Sequence, residues 1–263
     1  MRVFVDGVGL LAPGLNGWCD SQPVLTGAAP YVTEKMLRPN ADLLPANERR
    51  RASPATQLAC HVAREALLHA GRPASETATV FTSSSGNGEV IHQICETLAL
   101  PEREISPTRF HNSVHNAPAG YWSIATGSRA PSTTICCHDA SFAGGLLEAA
   151  LQVSVEHWAV LLVVFDLPYP QPLHQVRPLS APFGTALVLT PERSANTQAE
   201  LDLGLDGGSL DPSRIEHADL EHLRSGNPAA RALPLLAALA GNQPTEVVLN
   251  YVAGSNLRLR LTQ

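Results

Sequence analysis

The stretch Asn116 to Ala150, NAPAGYWSIATGSRAPSTTICCHDASFAGGLLEAA, carries the residues best suited to chemistry. It reads as a helix, a Gly-Ser-Arg-Ala-Pro turn, a short strand, two adjacent cysteines and a second helix. A cysteine between a strand end and a helix start sits where backbone N–H groups and the helix dipole favour a thiolate. Cys136 and Cys137 are therefore candidate acyl-accepting nucleophiles. The competing reading is a pair of small buried apolar residues, the usual state of a free cysteine. Only the adjacent helix start and His138 are visible as causes of a depressed thiol pKa.

His111, His115 and His138 form a second constellation, because an HxxxH spacing puts two imidazoles on one helical face. With a cysteine they can in principle hold zinc. Asn112 and Ser113 lie between the first two, so that stretch need not be helical, and ordinary polar contacts are expected in place of a metal. No cofactor is expected either. Ser83 to Gly88 (SSSGNG) links a strand to a helix but lacks the Lys of a P-loop and the spacing of a dinucleotide fingerprint, so it is read as a structural turn. Arg129 either anchors the turn before the cysteines or is a surface arginine.

These residues need a frame to hold them. Val3 to Leu11 reads as a strand, Thr56 to Ala70 as an amphipathic helix with Leu58, Val62, Ala66 and Leu67 on one face, and Thr79 to Ser83 as a short strand. A helix is expected over Glu89 to Leu98. Trp158 to Asp166 (WAVLLVVFD) is a continuous apolar run, as in a strand buried on both faces. After a proline-rich loop over Pro168 to Pro182, strands are expected at Gly184 to Leu189 and Leu201 to Leu205, with Ser194 to Gln198 as a polar connector. Ala229 to Ala240 reads as a helix whose start Pro234 kinks or trims. Glu246 to Val252 and Leu257 to Leu261 read as a hairpin turning at Ala-Gly-Ser-Asn. The alternation predicts a single layered α/β unit, its sheet covered by helices.

Composition narrows the setting. The chain has 263 residues, 44% hydrophobic, enough for a sizeable core without staples. A net charge of −6 with scattered Lys and Arg gives no footprint for nucleic acid or an anionic membrane. No apolar run approaches the roughly 18 residues that span a bilayer. The N-terminus lacks the pattern of a secretory signal, and five cysteines without CxxC spacing argue for reduced thiols, so the expected compartment is the cytoplasm.

In order, VDGVGLLAP, RRRASPATQLACHVAREALLHAG, TSSSGNGE and NAPAGYWSIATGSRAPST resemble the first strand, first long helix, strand-to-helix turn and pre-nucleophile segment of the β-ketoacyl synthases of the thiolase superfamily. NYVAGSNLRLRL resembles the closing Gly-rich hairpin. The similarity is greatest to the short ketosynthase-like proteins called chain-length factors of aryl polyene pathways. The resemblance implies a truncated thiolase-like fold over residues 1–263 with a central mixed sheet, one β-ketoacyl synthase N-terminal-like domain with a shortened C-terminal portion. Thr134-Ile135-Cys136 fits the family's Thr-Ala-Cys, whereas counting back from Ala143-Gly144-Gly145 aligns Cys137.

Condensing members resembling this chain use two histidines from the second half. No His-Gly-Thr segment occurs here, and the counterpart of the second histidine is Asn227 in Gly226-Asn227. An Asn donates a hydrogen bond but cannot relay a proton. The resemblance thus implies a non-condensing subunit that forms a heterodimer with a full-length ketosynthase and meets acyl carrier protein, with a homodimer also possible. The alternative is an active β-ketoacyl synthase or acyltransferase using Cys136 or Cys137 with a nearby histidine. Phe110, Tyr121, Trp122 and Phe142 cluster in sequence around the expected pocket, and with His115 they are candidates to line or plug an acyl tunnel, plain core packing being the other reading.

Overall fold

The computed structural model describes residues 1–208 and 210–263. Its strands are β1 (Arg2–Ala12), β2 (Leu15–Asn16), β3 (Ala78–Thr82), β4 (Ser132–Ile135), β5 (Val160–Asp166), β6 (Phe183–Thr190), β7 (Ala199–Asp206), β8 (Thr245–Asn250) and β9 (Asn256–Thr262). They form one sheet in the order β4-β3-β5-β6-β1-β7-β9-β8, with β2 folded back on β1. β3 runs parallel to β4 and β5, and the remaining pairings are antiparallel, so the sheet is mixed.

The helices are α1 (Trp18–Leu25), α2 (Ala46–Arg51), α3 (Pro54–Ala70), α4 (Gly88–Leu98), α5 (Pro107–Asn112), α6 (Ala117–Thr126), α7 (Ser141–Glu156), α8 (Leu173–Val176), α9 (Ala218–Gly226) and α10 (Leu233–Gly241). Alternation along the strands sorts them into two layers. Phe81, Leu161, Val163 and Phe165 face α3 and α6, while Val80, Leu162 and Val164 face α7, α9 and α10. Every residue of β5 is buried, as its unbroken apolar run requires.

Local chemistry sets the element ends. α3 starts where the Ser53 hydroxyl accepts from the Thr56 amide, with Pro54 at the first position, and stops at Gly71 in the left-handed conformation (φ 62°). It lies directly on β1 because Gly7 and Gly9 carry no side chain: a Cβ there would stand 2.1 Å from the carbonyl oxygens of Ala66 and Val62. Pro234 trims its helix as expected, since Ala229–Ala232 is a 3₁₀ turn and α10 begins only at Leu233. The proline-rich loop contains the one-turn α8. Among the described residues no helix is long and apolar enough to cross a membrane.

Candidate active-site cleft at the sheet edge

β4 is the terminal strand, and its ladder shows which of its groups remain open. The Thr79 amide donates to the Pro131 carbonyl, and Thr79 lies opposite Ser132. In a parallel ladder this turns Thr133 and Ile135 toward β3 and leaves the N–H and C=O of Ser132 and Thr134 directed outward. Side chains alternate in the other sense. Ile135 packs into the core under α7 and Thr133 accepts from Gln152 of α7, whereas Ser132, Thr134 and Cys136 line a surface cleft of about 640 Å³ with His115, Asn116, Ala119, Gly120 and Ser123.

The same alternation divides the two cysteines. Cys136 opens into the cleft, and its thiol donates to the Ser84 carbonyl at 3.1 Å. Cys137 turns to the α7 side, where its Sγ lies 2.6 Å from the point a Cβ on Gly144 would occupy. One turn of 3₁₀ helix, His138–Ala140, separates the cysteines from α7, and His138 takes a left-handed φ of 50° to make the bend. Neither cysteine therefore stands at the helix start that the sequence places beside it. Burial, and then the neighbouring Cys136, push the Cys137 thiol up, the opposite of the depressed pKa a nucleophile needs.

Beneath the cleft is a knot of buried polar groups. Asp166, at the end of β5, is wholly buried, and its Oδ1 accepts from the Ser83 hydroxyl (2.8 Å), the Ser84 amide (2.9 Å) and the Ser84 hydroxyl (2.9 Å). Burial raises its carboxyl to about 6 against these donors, and among the described residues its Oδ2 has no partner. The Ser85 and Gly86 amides donate to the Ser83 hydroxyl, so the SSSGNG loop turns its donors inward as a structural turn. Asn227 is fully buried beside it. Its Nδ2 donates to the Ala181 (2.7 Å) and Asp166 (3.3 Å) carbonyls, and its Oδ1 accepts from the Ala229 (2.8 Å) and Ala230 (3.3 Å) amides.

Just past the bend, Asp139 is bracketed by Arg177 (2.8 Å) and Arg231 (3.4 Å). Partial burial alone would raise its carboxyl. The Arg177 hydrogen bond and the surrounding positive charge outweigh that and hold it below the usual range.

The aromatic residues do not line one cavity. Trp122 lies in the core beneath α3 and Phe142 in the core on the opposite side of the sheet, while Tyr121 packs with Ala41, Leu44 and Ala52. Phe110 on α5 is 67% exposed. Sequence proximity grouped them, and the packing of their helices on opposite faces of the sheet separates them. The histidines part as well: His111 meets Tyr121 edge-on, His115 sits against Gly86 in the cleft, and His138 is a surface neighbour of Asp139. Among the described residues no three His, Cys, Asp or Glu side chains come together as metal ligands. The turn before β4 is held by Ser128, which donates to the Ala74 carbonyl and accepts from the Ala130 amide, while Arg129 is exposed.

The family profile described as "Beta-ketoacyl synthase, N-terminal domain" matches residues 25–246. The chain belongs to the β-ketoacyl synthase family. No curated sequence matches it as a relative. Among solved structures it is similar to the ketosynthase (ApeO) in complex with its chain length factor (ApeC) from Xenorhabdus doucetiae, with 22% identity and a TM-score of 0.75 over 99% of both chains. It is also similar to the ishigamide ketosynthase/chain length factor, at 14% identity and a TM-score of 0.71 over 99% of both chains. A third is AntDE:AntF, a type II PKS acyl-carrier protein in complex with its ketosynthase, at 14% identity and a TM-score of 0.73 over 99% of both chains. At these identities the likeness fixes the thiolase-like ketosynthase fold.

Asp166 is the residue that sequence reasoning passed over. A carboxylate closing the run VLLVVFD was the available signal, because a buried charge at a strand end is rare without partners.

Proposed function

We propose that this chain is a non-condensing subunit of the chain-length-factor type, pairing with a full-length β-ketoacyl synthase in fatty-acid or polyketide chain elongation of the aryl polyene kind. Asn227 carries the reading. It stands where the family resemblance calls for a catalytic histidine, and both its donor and acceptor atoms are engaged by backbone groups inside the fold. Such a side chain can neither polarise a thioester carbonyl nor move a proton.

The partner surface we assign is the open side of β4. Unpaired strand edges are templates for pairing with another chain, and Phe110, Val114 and Ile124 expose apolar side chains on the segments flanking the cleft. The ketosynthase complexes with a chain length factor among its structural neighbours support that occupant. For acyl carrier protein we assign α2, whose Arg49, Arg50 and Arg51 form a basic run in a chain of net charge −6. We read residues 1–263 as one N-terminal-domain-like unit whose short C-terminal portion extends the same sheet. Its five free thiols support a cytoplasmic setting.

One observation favours a second reading, an acyl-accepting Cys136. His115 shares its cleft, and the buried Nε2 of His115 has no partner among the described residues. Co-expression with the full-length ketosynthase of the same genome, followed by a malonyl decarboxylation assay on the isolated chain, separates the two. A one-to-one complex and an inert isolated chain are expected. Turnover by the chain alone, lost in Cys136→Ala, overturns the non-condensing reading; a homodimer indifferent to the ketosynthase overturns the pairing.

A further inference from the structure

A second cavity, of about 320 Å³, lies far in sequence from the cysteines, between the outer face of α3 and residues 37–40. Its α3 wall is built from His61, Arg64, Glu65 and Leu68, spaced as one helical stripe. Its polar and apolar parts are segregated. Leu11 closes the inside, while Leu37 and Leu68 stand at the mouth 57% and 68% exposed.

The charged groups are unevenly engaged. Glu65, the acidic residue in the lining, has both oxygens taken, accepting from the Trp18 amide (2.6 Å) and the Leu10 amide (2.9 Å). Arg38 and Arg64 line the same cavity with no ion pair or hydrogen bond among the described residues. His61 Nδ1 accepts from the Asn40 amide at 3.0 Å, which leaves Nε2 as the N–H of the neutral ring. Burial favours that neutral ring by holding the His61 pKa down.

We propose that this cavity binds a medium-chain carboxylate, with its carboxylate between Arg38 and Arg64 and its chain lying along Leu11, Leu37 and Leu68. Guanidinium pairs are the side chains best matched to a carboxylate. Glu65 is held in the wall by two backbone amides, so the charge left without an ion-pair partner in the cavity is that of Arg38 and Arg64, which favours an anionic head. The volume is at the lower end for small-molecule sites, which suits an aliphatic acid and leaves no room for a nucleotide.

Titration calorimetry on the full chain tests this, with octanoate, octanol and octylamine as probes. Saturable one-site binding of octanoate is expected, with octanol at least about tenfold weaker and octylamine unbound. Arg38→Gln and Arg64→Gln should each weaken octanoate by about tenfold. Both arginines are exposed, so these variants retain the native melt, checked by circular dichroism. The proposal is overturned if octanoate shows no saturation at millimolar concentration, if both arginine variants bind it like the parent chain, or if octanol binds equally well.

Discussion

The groups around Asp166 and those along β4 sit at neighbouring strand ends, yet they are used in opposite ways. In the first region three donors converge on one carboxylate oxygen and all four hydrogen-bonding capacities of Asn227 are filled from within the chain. In the second, the outward amides and carbonyls of Ser132 and Thr134 and the thiol of Cys136 face a cleft. The contrast separates a satisfied framework from an open edge. Where the family resemblance places an acid–base group, this chain has a structural pin; where it places a nucleophile, Cys136 opens into a cleft beside an unpaired strand.

The comparison fails if the polar knot is dispensable. Asp166→Leu strands three buried donors and is expected to cost on the order of 4 kcal/mol, read by chemical denaturation. Asn227→Ala should cost about 3 kcal/mol by the same measurement, because the Ala181 and Asp166 carbonyls and the Ala229 amide lose the buried side chain that meets them, while the Ala230 amide keeps the Asn227 carbonyl at 3.1 Å. Asn227→His should be similarly destabilised and should not gain decarboxylation, since the pocket is shaped for an amide. A stable, active histidine variant would mean that the site is a silenced catalytic one and not a pin.

The edge is tested by Thr134→Pro. The proline removes an outward N–H without touching the β3 ladder, so the isolated chain should melt as before while affinity for the ketosynthase falls by about a hundredfold, close to 2.7 kcal/mol. Size-exclusion and pull-down experiments read this directly.

A comparable effect follows from protonation. Burial raises the Asp166 carboxyl to about 6, above its unfolded value near 3.9, so between those values the folded chain holds a proton that the unfolded chain has lost. This group's contribution is therefore complete below about pH 4 and is lost as pH rises through 6, by on the order of 3 kcal/mol. Subtracting the Asp166→Asn profile from the parent's isolates it. Least in energy is a labelling experiment. Cys60, 1% exposed with its thiol pushed up to about 12, should resist iodoacetamide in the native chain while Cys136 reacts.

Much of the frame is legible in the sequence. WAVLLVVFD announces a strand covered on both sides, and the stripe of Leu58, Val62, Ala66 and Leu67 gives α3 its inward face, because both signals are local periodicities. α1 was missed because Pro23 interrupts it, and α9 because its mean composition is polar. The site was less legible. That Cys136 and Cys137 part company follows from a period of two, but only once the end of β4 is known to the residue. That Phe110, Trp122 and Phe142 lie apart depends on which sheet face each element takes, which no local pattern encodes.

The parting of the two cysteines has a practical side. Residues that are neighbours in the chain ordinarily report the same event, whereas here a fluorophore on Cys136 senses whatever seats itself against the sheet edge and one on Cys137 senses the bed of α7. With single-cysteine variants, one dipeptide becomes a two-channel reporter: a partner that only covers the edge changes the first signal, and one that reshapes the interior changes both.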